Sequence, residues 1–347
     1  MEKVMAALSG GVDSSVAVFL LKQAGYDCAG SIMTLHAPAP ESIADAKSVA
    51  QKLAVPFYVL DSQEIFHKSV IDSFITSYEQ GDTPNPCIVC NRCIKFSHFL
   101  REAEALGYEK IATGHYARIC KDENTGRYLL LRALDESKDQ SYFLYMLSQY
   151  QLARTLLPLG ELTKSQVRQI AESNGFVNAH RKDSQDICFV PDGDYLSFMK
   201  SYTGKNYPCG DFLDLSGKKI GKHNGAVGYT LGQRKGLGIA LGAPVYVCGK
   251  DMEKNTVTVG PEEVLFSTTL IAEDCNWFPF EALEGPIKVT AKARYRHKEQ
   301  PATVYPLENG QVKVVFDTPQ RALTTGQAVV FYDGETVIGG GTICEIK

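Results

Sequence analysis

The sequence predicts an α/β domain on a parallel sheet, then a small glycine-rich module, then a C-terminal antiparallel β-barrel or sandwich. Three observations carry this. Short β-like runs alternate with helical patterns through the first half, as crossover-connected parallel strands do. The stretch from Gly204 to Gly249 is rich in Gly and Lys and has few helical periods. From Thr256 onward short alternating runs recur, which is the antiparallel pattern. The expected boundaries are 1–197, 198–264 and 265–347.

Val4–Leu8 reads as the first strand. Ser14–Ala24 reads as a helix on Val16, Val18, Phe19, Leu20 and Leu21, stopped by Gly25. Ala29–Met33, Phe57–Leu60 and Lys110–Thr113 read as further strands, with helices over Ile43–Leu53 and Ile65–Tyr78 between them. Tyr128–Ala133 reads as an inserted strand. Thr163–Asn174 reads as a helix opened by a Thr163/Gln166 capping box and stopped by Gly175. Beyond Thr256, the strand candidates are Thr256–Val259, Lys288–Tyr295, Thr303–Leu307, Val312–Phe316, Ala328–Tyr332 and Thr342–Ile346. Asp333-Gly334 marks a tight hairpin.

The chain has 347 residues, 44% of them hydrophobic and 22% charged, which excludes disordered and fibrous classes. Thirty-six basic residues against 40 acidic ones give a net charge of −4, so any nucleic-acid binding must come from local patches. Ten cysteines over this length are too sparse for a disulfide scaffold. Cys87, Cys90 and Cys93 cluster, which suggests metal, cluster or redox chemistry in a reducing cytosol. Cys28, Cys120, Cys209, Cys248, Cys275 and Cys344 stand alone and read as structural. The N-terminal run is broken at once by Gly10-Gly11 and Asp13, and no apolar run reaches membrane-spanning length. The expectation is a cytoplasmic protein with no membrane partner.

Ser9-Gly10-Gly11-Val12-Asp13-Ser14-Ser15 follows the first strand and opens the first helix. Glycines let backbone N–H groups approach a phosphate, and the helix N-terminus adds a positive dipole end. The serines offer hydroxyls, and Asp13 suits a magnesium ion carried by the phosphates. The loop lacks the Gly-Lys-Ser/Thr of a Walker A motif, and Gly236-x-Gly238 has no strand–helix context. An ordinary Gly-rich βα turn is the plain alternative.

The loop resembles the phosphate loop of N-type ATP pyrophosphatases, which cleave ATP between the α- and β-phosphates. Four further stretches resemble the tRNA-specific 2-thiouridylase family within that class: Thr83-Pro84-Asn85-Pro86-Cys87 through Phe96, Ala112-Thr113-Gly114-His115-Tyr116-Ala117-Arg118, Lys138-Asp139-Gln140-Ser141-Tyr142-Phe143-Leu144, and Lys182-Asp183-Ser184-Gln185-Asp186-Ile187-Cys188-Phe189. Gly228–Gly238, Arg294-Tyr295-Arg296 and Gly326-Gln327-Ala328 continue the likeness to the C-terminus.

The resemblance implies an adenine-nucleotide α-hydrolase-like catalytic domain, a tRNA-contacting central domain and a C-terminal β-barrel. The implied reaction replaces the C2 oxygen of the tRNA wobble uridine by sulfur, using ATP and Mg2+. Ala7, Leu8, Ser9, Gly10, Gly11, Val12, Asp13, Ser14, Met33 and Gly114 would bind ATP. Cys188 would carry a persulfide loaded by a sulfur-donor protein. Cys90 would attack it, releasing sulfide or forming a disulfide. Lys95, or Arg181 and Lys182 together, would supply positive charge to the thiols. Asn85, Pro86 and Cys87 would lie beside the target base. His115, Lys138, Asp139, Gln140, Arg294, Tyr295 and Gln327 would meet the tRNA anticodon stem-loop.

The sequence departs from the family where an acid usually follows Asn-Pro, since Cys87 stands there. Cys93 takes a usually acidic or polar place. Cys87-x-x-Cys90 with the distant Cys188 resembles the iron–sulfur ligand set of other tRNA-thiolating enzymes, so a [4Fe–4S] cluster on Cys87, Cys90 and Cys188 stands beside the persulfide relay. A zinc site would need Cys93 or His98 as a fourth ligand. The connection after the second strand, His36-Ala37-Pro38, is shorter than usual.

Lys288–Lys298 reads KVTAKARYRHK. In one continuous strand, Lys288, Lys292, Arg294, Arg296 and Lys298 share a face. Five like charges there suit a phosphate-tracking surface. Lys218, Lys219, Lys222 and His223 form a second basic stretch, and Arg234-Lys235 a third. The competing functions are an ATP pyrophosphatase acting on a small molecule and a non-enzymatic RNA-binding protein with a structural metal.

Overall fold

A computed structural model describes residues 1–36, 40–179, 187–190, 192–239 and 242–347. Arg181, Lys182 and the rest of the 183–186 stretch before Cys188 lie outside the described residues, as do Ala37 and Pro38.

The N-terminal strands are β1 (Lys3–Ala7), β2 (Asp27–Thr34), β3 (Phe57–Asp61), β4 (Lys110–Ala112), β5 (Arg118–Lys121), β6 (Tyr128–Leu131) and β7 (Thr155–Leu156). Five of them form a parallel sheet in the order β3-β2-β1-β4-β7. Strand β1 is apolar on both faces, as a covered parallel strand must be. Val4 and Ala6 pack with Val16 and Val18 of the first helix (Val12–Gln23), whereas Met5 faces Phe96 and Phe99. The strand order reverses between β1 and β4, so the crevice at their C-terminal ends is where such sheets bind ligands.

The inserted strand belongs elsewhere. β5 and β6 form a hairpin, and Leu131 and Leu130 pair with Thr336 and Val337 of the strand Thr336–Ile346 at the other end of the chain. The reason is apolar: Leu130 is fully buried with Val330, Tyr332 and Val337. Polar ties reinforce the joint. Arg127 Nε donates to Phe278 O at 2.6 Å, Asn276 Nδ2 to Tyr145 O at 2.6 Å, and Tyr142 OH to Ala328 O at 3.0 Å. The barrel and the parallel sheet therefore share one core.

The middle segment forms a four-stranded sheet from Gly210–Leu213, Lys219–His223, Tyr246–Asp251 and Thr256–Gly260. The C-terminal strands Phe266–Trp277, Ile287–Lys292, Gln300–Pro306, Val312–Arg321, Ala328–Asp333 and Thr336–Ile346 close into an antiparallel barrel through pairing of the first with the last. Trp277 stacks on Phe331 inside it. Asp333 pairs with Thr336, so the hairpin loop is Gly334-Glu335, with Gly334 at φ +55°. Among the described residues no helix is long and apolar enough to cross a membrane.

Candidate active site

The phosphate loop leaves β1 and enters the first helix at Val12. Gly10 sits at φ +76°, a left-handed conformation that glycine adopts without strain. Ser14 and Ser15 hydroxyls donate to Gly11 O at 2.9 and 3.1 Å, and Ser9 N–H donates to Ser14 Oγ at 3.1 Å. These bonds hold the loop in one conformation from within. Gly114, after β4, packs against it: a Cβ there would lie 2.9 Å from the backbone of Asp13 and Ser14. Met33 lies half-buried near the end of β2, the neighbour of β1. Ala7, Leu8, Ser9, Gly10, Gly11, Val12, Asp13, Ser14 and Gly114 are therefore gathered at one end of the sheet.

Three residues that the sequence did not single out complete this end. Lys164, the first residue of the helix Lys164–Ser173, donates from Nζ to both Asp13 carboxylate oxygens at 2.7 Å. Tyr116 OH donates to Asp13 Oδ1 at 2.8 Å. Asn178 Nδ2 donates to Gly10 O and Ser15 Oγ, both at 2.9 Å. The Thr163 capping box, found from sequence and present in the structure, fixes the start of the helix that presents Lys164. Hydroxyls, a helix N-terminus, a lysine and a single carboxylate form a donor set that fits a magnesium–nucleotide.

The cysteines gather about Lys95, whose charge also acts on His115, the neighbour of Gly114. Pro86–Cys90 is a short helix with Asn85 at its N-cap, followed by a π-helical stretch over Asn91–His98. Cys87 and Cys188 are exposed and Cys90 is buried. Phe189 anchors the Cys188 turn, with its ring 5.3 Å from Phe74 and 5.2 Å from Phe198. The apolar Ile187-Cys188-Phe189 run thus buries its phenylalanine and turns the cysteine outward. Burial pushes the Cys90 thiol up to about 11, with the neighbouring Cys188, Cys87 and Cys93 adding to the rise. Desolvation also raises Cys87 and Cys188. Lys95 opposes the rise at all three thiols, which makes it their common cation. All ten cysteines are free.

Among the described residues no group of three His, Cys, Asp or Glu side chains is arranged to hold a metal ion. His98 Nδ1 lies 3.9 Å from Glu102 Oε1, one helical turn away.

His115 is 9% exposed, its Nδ1 is 2.7 Å from Thr113 Oγ1, and its ring lies 5.5 Å from Phe96. Desolvation, helped by Lys95, holds it well below the usual histidine range, so it is neutral at pH 7. Gln327 Nε2 donates to Thr83 O at 2.7 Å, and Thr83 N–H donates to Thr325 O at 2.9 Å. The barrel thereby reaches the segment that carries Asn85, Pro86 and Cys87.

The basic face requires correction. The strand ends at Lys292, and 293–299 turn into the next strand, so the five basic residues share no continuous face. Arg294 spends its guanidinium internally, on Leu231 O, Ala322 O and Thr324 Oγ1, and ties the middle module to the barrel. Asp139 is likewise internal: its carboxylate accepts from Ala133 N, Ser141 N and Ser141 Oγ. Lys219 and Lys222 both pair with Asp211 at 2.8 Å, and His223 is buried. What gathers instead surrounds Tyr295. Lys292 Nζ lies 5.2 Å from its ring, Phe143 packs at 4.3 Å, and the charges of Lys138 and Arg296 both act on its hydroxyl. Tyr295 OH donates to Asp139 O at 3.3 Å.

Family models match almost the whole chain: a tRNA methyl transferase HUP domain over residues 2–192, a tRNA methyl transferase PRC-barrel domain over 196–261, and an aminomethyltransferase beta-barrel domain over 267–343. The chain is 49% identical to a tRNA-specific 2-thiouridylase MnmA of Acetivibrio thermocellus, covering 99% of each chain. It is 48% identical to that of Clostridioides difficile, over 99% of this chain and 98% of the relative. It is 49% identical to that of Moorella thermoacetica, over 98% of each. A likeness of this depth along the full length, together with the phosphate loop and the thiols beside it, places the chain in the MnmA family of tRNA-specific 2-thiouridylases.

Proposed function

We propose that the chain is an ATP-dependent tRNA-uridine 2-sulfurtransferase. The observation that carries the reading is the pairing of an internally bonded phosphate loop with an exposed and a buried cysteine, Cys188 and Cys90, under one cation, Lys95. Residues 1–197 hold nucleotide and thiols, and 198–264 and 265–347 hold the tRNA.

The uridine C2 carbonyl is a poor electrophile, so its oxygen first attacks the α-phosphorus of ATP and pyrophosphate leaves. Backbone N–H groups of Gly10 and Gly11 and the first helix N-terminus receive the phosphates. Lys164 supplies the positive charge that the loop itself lacks, and a magnesium ion, when bound with ATP, neutralises further phosphate charge beside Asp13. The terminal sulfur of a Cys188 persulfide then attacks C2, and AMP leaves with the former O2. Cys90 thiolate attacks Cys188 Sγ; the S–S bond to the uridine sulfur breaks, 2-thiouridine leaves, and a Cys90–Cys188 disulfide remains for an external thiol to reduce. Exposure of Cys188 suits loading by a sulfur-donor protein, and burial of Cys90 suits attack from inside. Neutral His115 and Asn85 line the approach of the base, which must leave its stack.

The test is nucleoside mass spectrometry of tRNA from a strain lacking the gene. Loss of 2-thiouridine, restored by the wild-type gene and not by Cys188→Ser, is expected. Unchanged 2-thiouridine would overturn the proposal.

A further inference from the structure

Tyr116 and Lys164, the partners of Asp13 among the described residues, are anchored to one surface loop. Tyr116, 3% exposed, holds Asp13 with its hydroxyl, while its backbone is clamped by Gln140: Tyr116 N–H donates to Gln140 Oε1 at 3.0 Å, and Gln140 N–H donates to Tyr116 O at 2.8 Å. Lys164, 9% exposed, holds Asp13 with its ammonium, while its backbone N–H donates to Asp135 Oδ2 at 2.9 Å. Asp135 and Gln140 are the two ends of one loop. Its interior is tied down by Asp135 accepting from Ser137 N–H and Oγ–H, and by Lys138 N–H donating to Asp135 O. The contacts close a ring: Asp13, Lys164, Asp135, the loop, Gln140, Tyr116 and Asp13 again.

The outer side of this loop joins the patch around Tyr295. Lys138, Lys292 and Arg296 lie about an aromatic pair of Tyr295 and Phe143, and the Tyr295 hydroxyl is bonded to Asp139 of the loop. Basic groups interleaved with aromatic rings suit an RNA backbone and an unstacked base. The inner side of the loop holds the one carboxylate of the phosphate loop.

We propose that the Asp135–Gln140 loop is the coupling element of the enzyme: tRNA seated on it sets the hold of Lys164 and Tyr116 on Asp13, so that tRNA and magnesium–nucleotide binding are energetically linked. This rests on the tRNA-thiolating reading above. The physical content is a contiguous network in which Asp13 has two alternatives, its internal partners or the incoming nucleotide complex. Tyr116, Lys164 and Gln140 act here as positioning residues. Linkage is reciprocal, so the factor by which tRNA changes nucleotide affinity must equal the factor by which nucleotide changes tRNA affinity.

The experiment measures the affinity of the full-length protein for magnesium α,β-methylene-ATP, which cannot be cleaved between the α- and β-phosphates. Titrations are run with and without unmodified tRNA, and the reciprocal pair is measured for tRNA. Wild-type protein is expected to show a factor of at least about five, and Gln140→Met and Tyr116→Phe a factor within about twofold of one. Gln140→Met cuts the ring at its far end without touching Asp13, so it stands even if Tyr116→Phe folds poorly. A merely structural role would weaken both affinities and leave the factor unchanged, which would overturn the inference. A wild-type factor near one, with both ligands binding, would overturn it too and leave the function intact. Absence of any tRNA binding by the wild type would instead overturn the tRNA-thiolating reading on which the inference rests.

Discussion

Lys164 Nζ lies 2.7 Å from both carboxylate oxygens of Asp13, although 151 residues separate the two in sequence. The phosphate loop contains no lysine of its own, and the fold supplies one from the start of a distant helix. Lys164→Met leaves Asp13 with Tyr116 as its partner among the contacts described above. Asp13 is 30% exposed and water can replace part of the lost contact, so the stability cost is about 1–2 kcal/mol rather than the roughly 3–5 of a fully buried pair. Loss of a preorganised cation beside the leaving group should slow pyrophosphate release on the order of 100-fold. Urea melts and a pyrophosphate assay check both; a rate close to wild type would remove Lys164 from the chemistry.

The thiols predict a pH profile. An acid whose folded pKa is raised is mostly protonated at neutral pH, and its thiolate grows tenfold per pH unit below that pKa. With Cys90 pushed up to about 11, single-turnover sulfur transfer from preloaded Cys188 should rise about tenfold per unit between pH 7 and 9. Removing the shared cation, as Lys95→Met, should lower the rate at every pH and keep the slope. A flat profile in rapid-quench measurements would exclude Cys90 as the attacking group.

His115 predicts a stability effect of definite sign. Burial keeps it neutral when folded, whereas the unfolded chain protonates it near the ordinary pKa of about 6.5. Below that value the unfolded state binds the extra proton, so stability falls as pH falls, by at most about 1.4 kcal/mol per unit from this group. His223 and His297 are lowered in the same direction, so the readout is the difference between proteins. His115→Gln should make the urea midpoint less steep between pH 6.5 and 5. An identical slope would show that His115 does not resist protonation.

Arg294 and Arg296 should separate cleanly. Arg294→Ala takes the donor from Leu231 O and one of two donors from Ala322 O, which keeps the Thr324 hydroxyl, at about 1–3 kcal/mol of stability, and leaves the salt slope of tRNA binding unchanged. Arg296→Ala and Lys138→Ala should each reduce that slope by about one and leave stability nearly unaltered. Melting curves and tRNA affinities from 50 to 200 mM salt, on the order used for such slopes, decide between them. A reduced slope in Arg294→Ala alone would return that residue to the RNA surface.

Much of this was legible in the residues. Alternation from Val4 to Thr113 gave the parallel sheet, and Ser9–Ser15 gave the phosphate loop, because strand period, glycines and helix start are local signals. The Thr163–Gln166 capping box gave the helix that carries Lys164, but nothing local says that Lys164 faces Asp13. Tyr128–Ala133 reads as a strand from its own residues, but its partner, Thr336–Ile346, is chosen by a hydrophobic face some 200 residues away, on the order of a whole domain in sequence separation. Alternation across Lys288–Lys298 misled because the strand stops at Lys292, where the chain must turn to pair with Gln300–Pro306. Charge alone likewise hid that Arg294 and Asp139 satisfy backbone groups inside the fold.

The central claim is that one site joins ATP cleavage to sulfur transfer onto tRNA. The most direct measurement is reconstitution with purified protein preloaded as a persulfide, ATP, magnesium and unmodified tRNA, following pyrophosphate and tRNA 2-thiouridine together. The account predicts one pyrophosphate per 2-thiouridine, both dependent on tRNA, with pyrophosphate release surviving Cys188→Ser while 2-thiouridine disappears. Pyrophosphate release independent of tRNA, or 2-thiouridine formed by Cys188→Ser, would contradict it.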